Sequence, residues 1–364
     1  MPLLHQYIKP ARPRMRTPER VRFGSYNDDW RYRGMGNDAF VPSLAAVQRY
    51  AGQIRDNVAR VIIGKLEVID LLLVALLSDG HVLLEDVPGM GKTVLAKALA
   101  RSLGATFQRV QGTPDLLPTD IIGVSYYDQK QNEFVFRSGP LFAQILLVDE
   151  INRTTPRTQS ALLEAMAERQ VTVERESKQL PRPFLVLATQ NPVELEGTFP
   201  LPEAQLDRFL LRVQMGYPEE QEEQEILHRF KLNEPLETLQ PVVSATEFVG
   251  LQRAVREVQW QPEVERYLLA IVRATRRNDA IQLGVSPRGT LALYRACEAY
   301  AAIQGRNFVQ PDDIKYLSPF VLGHRILATN RNRMRGRRSQ EIINEIVQTI
   351  EVPVEAIATP PATR

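Results

Sequence analysis

One cysteine, Cys297, stands among 364 residues, so no internal disulfide can form and the chain suits a reducing compartment, with the cytoplasm as the expected location. It lies in the alanine-rich stretch ALYRACEAYAA, which marks it as a small packing residue of a helix. Histidines are almost as scarce. His5, His81, His228 and His324 share no ligand spacing, so no metal site built from the protein's own ligands is expected. Long apolar runs are missing too: the longest apolar region, Val61 to Leu77, is broken by Lys65, Glu67 and Asp70 and reads as an amphipathic helix. The first residues lack an apolar signal segment, and no membrane insertion is expected. Neither sign of charge prevails, since 45 Lys and Arg face 43 Asp and Glu for a net charge of +2, so nothing global calls for nucleic acid.

The apolar content, 44%, is ample for packed cores, and the length suggests about two or three domains. Arginine gathers at the two ends. Residues 1–42 mix Pro, Arg, Gly, Asn and Asp with Tyr26, Trp30 and Tyr32 and show no period, which reads as a disordered or loosely ordered tail, or as an arginine-aromatic arm that binds a partner or nucleic acid. Arg331, Arg333, Arg335, Arg337 and Arg338 precede a short amphipathic helix at 339–350 and read as solvated surface or as a contact with an acidic partner or neighbouring subunit.

The stretch His81 to Leu99, HVLLEDVPGMGKTVLAKAL, organises the rest. Val82 to Leu84 reads as a buried strand, the Pro88-Gly89-Met90-Gly91 loop as a turn, and a helix starts near Lys92. This is a phosphate cradle. Glycines let the backbone approach a polyphosphate, and N–H groups at the helix start, together with its dipole, favour negative charge. Lys92 can reach the β- and γ-phosphates, and Thr93 offers a hydroxyl to a magnesium ion bridging them. The first glycine of the G-x-x-x-x-G-K-[ST] pattern is replaced by Asp86, a residue type that tolerates unusual turn dihedrals, so the loop remains feasible.

A second motif follows. Ile145-Leu146-Leu147-Val148 predicts a strand buried on both faces, with Asp149 and Glu150 at its end. Asp149 would hold magnesium through water, and Glu150 would activate the water that attacks the γ-phosphate. Two hairpins are expected: Val124–Tyr127 with Phe134–Phe136, and Val171–Val173 with Pro183–Leu187 across a polar turn from Glu174 to Gln179. The latter strand runs on to ATQNP, where Asn191 can hydrogen-bond the attacking water or the γ-phosphate. Arg208 either pairs with Asp207 or another acid, or serves as an arginine finger across a subunit boundary. Beyond Gly216 the pattern turns helical, at about 219–232, 246–258, 262–277, 287–304 and 311–322. Ser286-Pro287-Arg288 opens one of these helices, and Arg288 there opposes the helix dipole, which suggests a bound anion or a carboxylate.

GMGKT, ILLVDEINR, ALLEAMAERQVTV, ATQNP, LPEAQLDRF and GVSPRG, in this order and spacing, closely resemble the MoxR family of AAA+ ATPases over about residues 43–350. The resemblance implies an α/β fold: an AAA+ P-loop core at 43–216, with a parallel sheet flanked by helices and two β-hairpin inserts, then a small all-helical lid at 217–350 and a tail at 351–364. It implies ATP and Mg2+ as cofactors, held by Pro88 to Val94, with Thr93 and Asp149 toward the metal. The segment Ile62 to Gly64 would pack on adenine, with Ile63 and Gly64 as its contacts, although ordinary core packing is an equal reading. Glu150, Asn191, Arg208 and Arg288 become the catalytic set, as Walker B glutamate, sensor 1, arginine finger and sensor 2. The expected activity is hydrolysis of ATP to ADP and phosphate in a homo-oligomeric, hexameric ring that remodels or matures a partner protein, typically one with a von Willebrand factor A domain. A nucleic-acid motor and a non-hydrolysing nucleotide switch are the alternatives.

Overall fold

A computed structural model describes residues 41–353 except 131, 175, 193–196, 232, 233 and 335–337. The N-terminal tail and most of the C-terminal tail lie outside the described residues.

Two helices lead in, α1 (Leu44–Ala59), capped by the Ser43 hydroxyl, and α2 (Leu66–Leu77), which is apolar almost all round and is accordingly buried. Strand β1 (Val82–Glu85) feeds the glycine loop and α3 (Lys92–Ser102). Then come β2 (Phe107–Gln111), a one-turn α4 (Pro118–Ile122), and a hairpin of β3 (Gly123–Asp128) and β4 (Glu133–Ser138). Strand β5 (Ile145–Asp149) and α5 (Pro156–Glu168) lead to a second hairpin, β6 (Gln170–Val173) with β7 (Glu176–Gln179). Strand β8 (Leu185–Gln190), α6 (Glu203–Leu206) and β9 (Leu211–Val213) complete the sheet region.

The five-stranded sheet has the order β2-β5-β8-β1-β9, and all its pairings are parallel. Alternation sorts its side chains into two cores. Val82, Leu84, Ile145, Leu147, Leu185 and Leu187 face α1, α2 and α3, whereas Leu83, Leu146, Val148, Val186 and Ala188 face α5 and Phe209. Both faces are covered, which is why β5 is buried along its whole length.

The second hairpin differs from the expectation. It closes within Gln170–Gln179, Glu174 taking a left-handed turn at φ +50°, and residues 185–190 instead enter the central sheet. The polar segment Glu176–Gln179 pairs along one edge with β6 and turns the rest of its backbone to water, so it needs no apolar face and carries no hydropathy signal of a strand.

Helices dominate the remainder: α7 (Glu220–Phe230), α8 (Pro235–Thr238), α9 (Ala245–Ala254) and α10 (Pro262–Thr275). A short β10 (Ile281–Leu283) precedes α11 (Pro287–Ile303) and α12 (Pro311–Leu322). After them come β11 (Leu327–Ala328), α13 (Asn330–Met334) and α14 (Ser339–Thr349). The antiparallel β10–β11 ladder is a small addition to the helical lid. Helices α9, α10, α11, α12 and α14 share one apolar core with α1 and α2, reinforced by stacking of Trp260 on Tyr294 at 4.2 Å and by the Tyr316 hydroxyl donating to Glu67 at 3.1 Å. No helix among the described residues is long and apolar enough to cross a membrane.

Candidate functional site

Strand register decides which side chains share the carboxyl edge of the sheet. Val110 of β2 aligns with Val148 of β5, and Val148 with Ala188 of β8, so Gln111, Asp149 and Thr189 emerge together beside the loop that follows β1. Brought into one cleft are Pro88, Gly89, Met90, Gly91, Lys92, Thr93, Asp149, Glu150 and Asn191, the phosphate-loop and acid-strand residues picked out by motif.

The loop needs glycine at two places. Gly89 and Gly91 stand at φ +86° and +81°, and nothing lies within 4 Å of where a Cβ would be, so the concave side is open to a ligand. Gly91 caps α3 without a side-chain bond, which leaves the first helical N–H groups to meet an anion. Lys92 Nζ donates to the carbonyls of Asp86 at 2.7 Å and Val87 at 3.2 Å. Burial pulls its pKa below the ordinary lysine value, against the opposing pull of Asp86, Asp149 and Glu150.

Asp86 does not use unusual dihedrals, contrary to the sequence reading. The described non-glycine residues at positive φ are Asp79, Asn132, Glu150, Arg169 and Glu174, and position 86 therefore has no need of glycine. Its carboxylate accepts from the Met215 and Gly216 N–H groups at 2.6 and 3.1 Å.

Asp149 and Glu150 point different ways because Glu150 is left-handed, at φ +56°. Arg109 Nε donates to Asp149 Oδ2 at 2.6 Å. The Thr189 hydroxyl donates to Asp149 Oδ1 at 3.2 Å while accepting from the Glu150 N–H at 2.9 Å. Glu150 Oε2 accepts from Gln111 Nε2 at 3.2 Å and pairs with Arg153 Nη1 at 3.3 Å. Arg109, Gln111 and Thr189 escaped motif reading. Thr189 lay within ATQNP, and the polar alternation of FQRVQ carried a trace of the other two.

An apolar cleft adjoins the first and shares Gly89, Met90 and Gly91 as a wall; Ile62, Ile63, Val94, Met215 and Phe230 line it. Ile63 and Val94 are thus brought together as walls of one apolar cleft beside the glycine loop. Gly64 does not line this cleft; at φ +71° it turns the chain flush against Glu222 of α7.

Arg208 and Arg288 lie elsewhere. They meet in a basin with Asp79, Arg169, Asp207, Arg295 and Arg325, next to the residues that precede β1. The phosphate loop follows the other end of that strand, whose four residues span about 13 Å at the usual rise per residue. Asp207 is not the partner of Arg208: it pairs with Arg325 Nη1 at 3.1 Å and accepts from the Ser286 hydroxyl at 3.2 Å. Among the described residues no acid pairs with Arg208 or Arg288, whereas burial draws Arg325 down to about 10 despite the opposing pull of Asp207.

Comparison with known proteins accords with this geometry. Residues 81–211 match the ATPase family associated with various cellular activities (AAA), and residues 273–346 match the AAA lid domain. The chain is 51% identical over 307 residues to YeaC of Bacillus subtilis, spanning 84% of this chain and 96% of that one. It is 41% identical over 306 residues to the chaperone MoxR1 of Mycobacterium tuberculosis, covering 82% of this chain and 81% of the relative. A crystal structure described as a candidate ATPase from Cytophaga hutchinsonii superposes with a TM-score of 0.80 at 35% identity, covering 85% of this chain and 97% of that one. Shared sequence along most of its length, an AAA core and an AAA lid together mean that the chain belongs to the MoxR family of AAA+ ATPases.

Proposed function

We propose that the protein hydrolyses ATP to ADP and phosphate at interfaces between its own copies, and uses the resulting motion to remodel a partner protein. The observation that carries this reading is the separation of Lys92, Asp149 and Glu150 from Arg208 and Arg288 by the length of β1. One subunit has the cradle and the base that activates water; the unpaired arginines suit the γ-phosphate of a neighbour. A head-to-tail interface that closes on itself forms a ring, for which six copies is our expectation from family resemblance.

The triphosphate would lie on the Gly89–Gly91 backbone and the start of α3, with Lys92 leaving the loop carbonyls for the β- and γ-phosphates. Hard oxygen donors and an open cradle fit Mg2+, which the Thr93 hydroxyl and, through water, Asp149 would hold against the phosphates. When bound, that ion neutralises charge on the β- and γ-phosphate oxygens. Arg109 and Thr189 fix the Asp149 carboxylate. Glu150 accepts the proton of the attacking water, and Asn191 orients that water or the γ-phosphate. Gln111 and Arg153 both engage Glu150 at Oε2, which orients the carboxylate.

The partner is a protein, by analogy with the chaperone named among the relatives; a von Willebrand factor A domain is the class that the family resemblance favours. ATP turnover measured over a protein concentration series, with mass determined alongside, tests the reading. Specific activity should rise as the assembly forms, and concentration-independent turnover by monomers would overturn it.

A further inference from the structure

Asp86 occupies the position at which the phosphate-loop pattern has its first glycine, yet the backbone there makes no demand for one. The side chain is buried, 8% exposed, and both carboxylate oxygens are engaged, by the Met215 and Gly216 N–H groups. Met215 and Gly216 are themselves lining residues of the apolar cleft. Gly216, at φ +65°, turns the chain toward α7, whose Ile226 and Phe230 line the cleft too. Lys65 secures the next step, donating to the Tyr217 carbonyl at 3.0 Å and pairing with Glu222 Oε2 at 3.7 Å. The carbonyl of Asp86 meanwhile accepts from Lys92, the residue nearest the phosphates in the sequence motif.

From this arrangement we propose that Asp86 is a positioning residue for the nucleobase: by tethering the Met215–Gly216 backbone to the root of the phosphate loop, it holds the apolar cleft at the width of a purine. The inference rests on the reading that this cleft receives the adenine of ATP. It reverses the expectation from the motif, because glycine at position 86 would complete the phosphate-loop pattern and still weaken ATP binding. Two N–H groups bonded to an ionised acceptor would lose it, and the 215–218 strap would be free to shift.

Calorimetric titration of the full chain with ATP and with methyl triphosphate, both with magnesium, separates the two halves of the site. Methyl triphosphate is an ester of the same charge as ATP, so removing the Asp86 charge alters attraction for both alike and the ratio of their affinities reports what the nucleoside adds. Asp86→Gly should lower the preference for ATP over methyl triphosphate about tenfold, the loss equivalent to one charge-assisted hydrogen bond. Asp86→Asn, whose carboxamide oxygen can still accept, should fall between Asp86→Gly and the parent protein. An unchanged ratio in both variants would overturn the proposal while leaving the cleft assignment intact. A parent protein that binds the two ligands equally would instead overturn the cleft assignment, and the proposal with it. Should Asp86→Gly fail to fold by circular dichroism, Asp86→Asn decides alone: a reduced ratio supports the tether and an unchanged ratio refutes it.

Discussion

If Arg208 and Arg288 both serve a neighbour's nucleotide, mixing inactive subunits should give two opposite results. Take Lys92→Ala with Arg208→Ala. A site works when the subunit that contributes the cradle carries Arg208→Ala, and so keeps Lys92, and the next contributes an intact Arg208. Random assembly at equal amounts makes about one interface in four competent, whatever the ring size, because every interface is equivalent. An arginine finger is worth roughly three to five orders of magnitude in turnover, so a quarter of parental activity stands far above either variant alone. Now take Arg208→Ala with Arg288→Ala. The two arginines share one basin at the amino end of β1, so each interface receives both from the same subunit and always lacks one. No rescue should appear. If Arg288 instead acted on the ATP of its own subunit, this second mixture would also recover about a quarter of the activity. Steady-state phosphate release after co-refolding or prolonged exchange, with mixed assemblies verified by mass, decides the matter. Rescue in the Arg208 and Arg288 mixture would refute the shared-basin reasoning.

Other outcomes follow from the geometry around the cradle. Lys92→Ala should abolish ATP binding in a fluorescent-nucleotide titration, whereas Glu150→Gln should bind ATP and lose turnover by about a hundredfold or more. Thr189→Val keeps the shape of a 2% exposed side chain but leaves the Glu150 N–H and Asp149 Oδ1 without their shared hydroxyl; kcat should fall about tenfold or more with ATP affinity nearly unchanged, and unaltered kcat would count against that bridge. His81 accepts from the Val186 N–H at Nδ1 and donates from Nε2 to the Met166 carbonyl, and burial, then Arg169, holds its pKa well below the usual 6.5. Unfolded His81 therefore binds a proton that the folded form refuses. His324 is buried in the same way and its pKa is likewise held well below 6.5, so denaturant titrations should show stability complete above pH 6.5 and falling by about 2.7 kcal/mol per pH unit below it, about 1.4 for each histidine, down to the folded-state pKa values; a flat profile would refute the assignment.

What the sequence determined by itself is chemistry that local order suffices to express. A loop needs glycine where φ turns positive and a helix start to meet phosphate, and these are contiguous in GMGKT, so the cradle was legible without a fold. The same holds for β5, whose unbroken apolar run signals burial on both faces and whose last residue and successor are the two acids. Tertiary structure decided the rest, for reasons of distance along the chain. Asp86 reaches Met215 and Gly216, and Arg109 reaches Asp149, only because parallel strands align residues far apart in sequence. Glu176–Gln179 pairs along one edge with β6, turns the rest of its backbone to water and left no hydropathy signal as a strand. Above all, Arg208 and Arg288 could be identified from motifs, but their common basin at the amino end of β1, away from the cradle of their own subunit, exists only once the sheet has interposed its length between them.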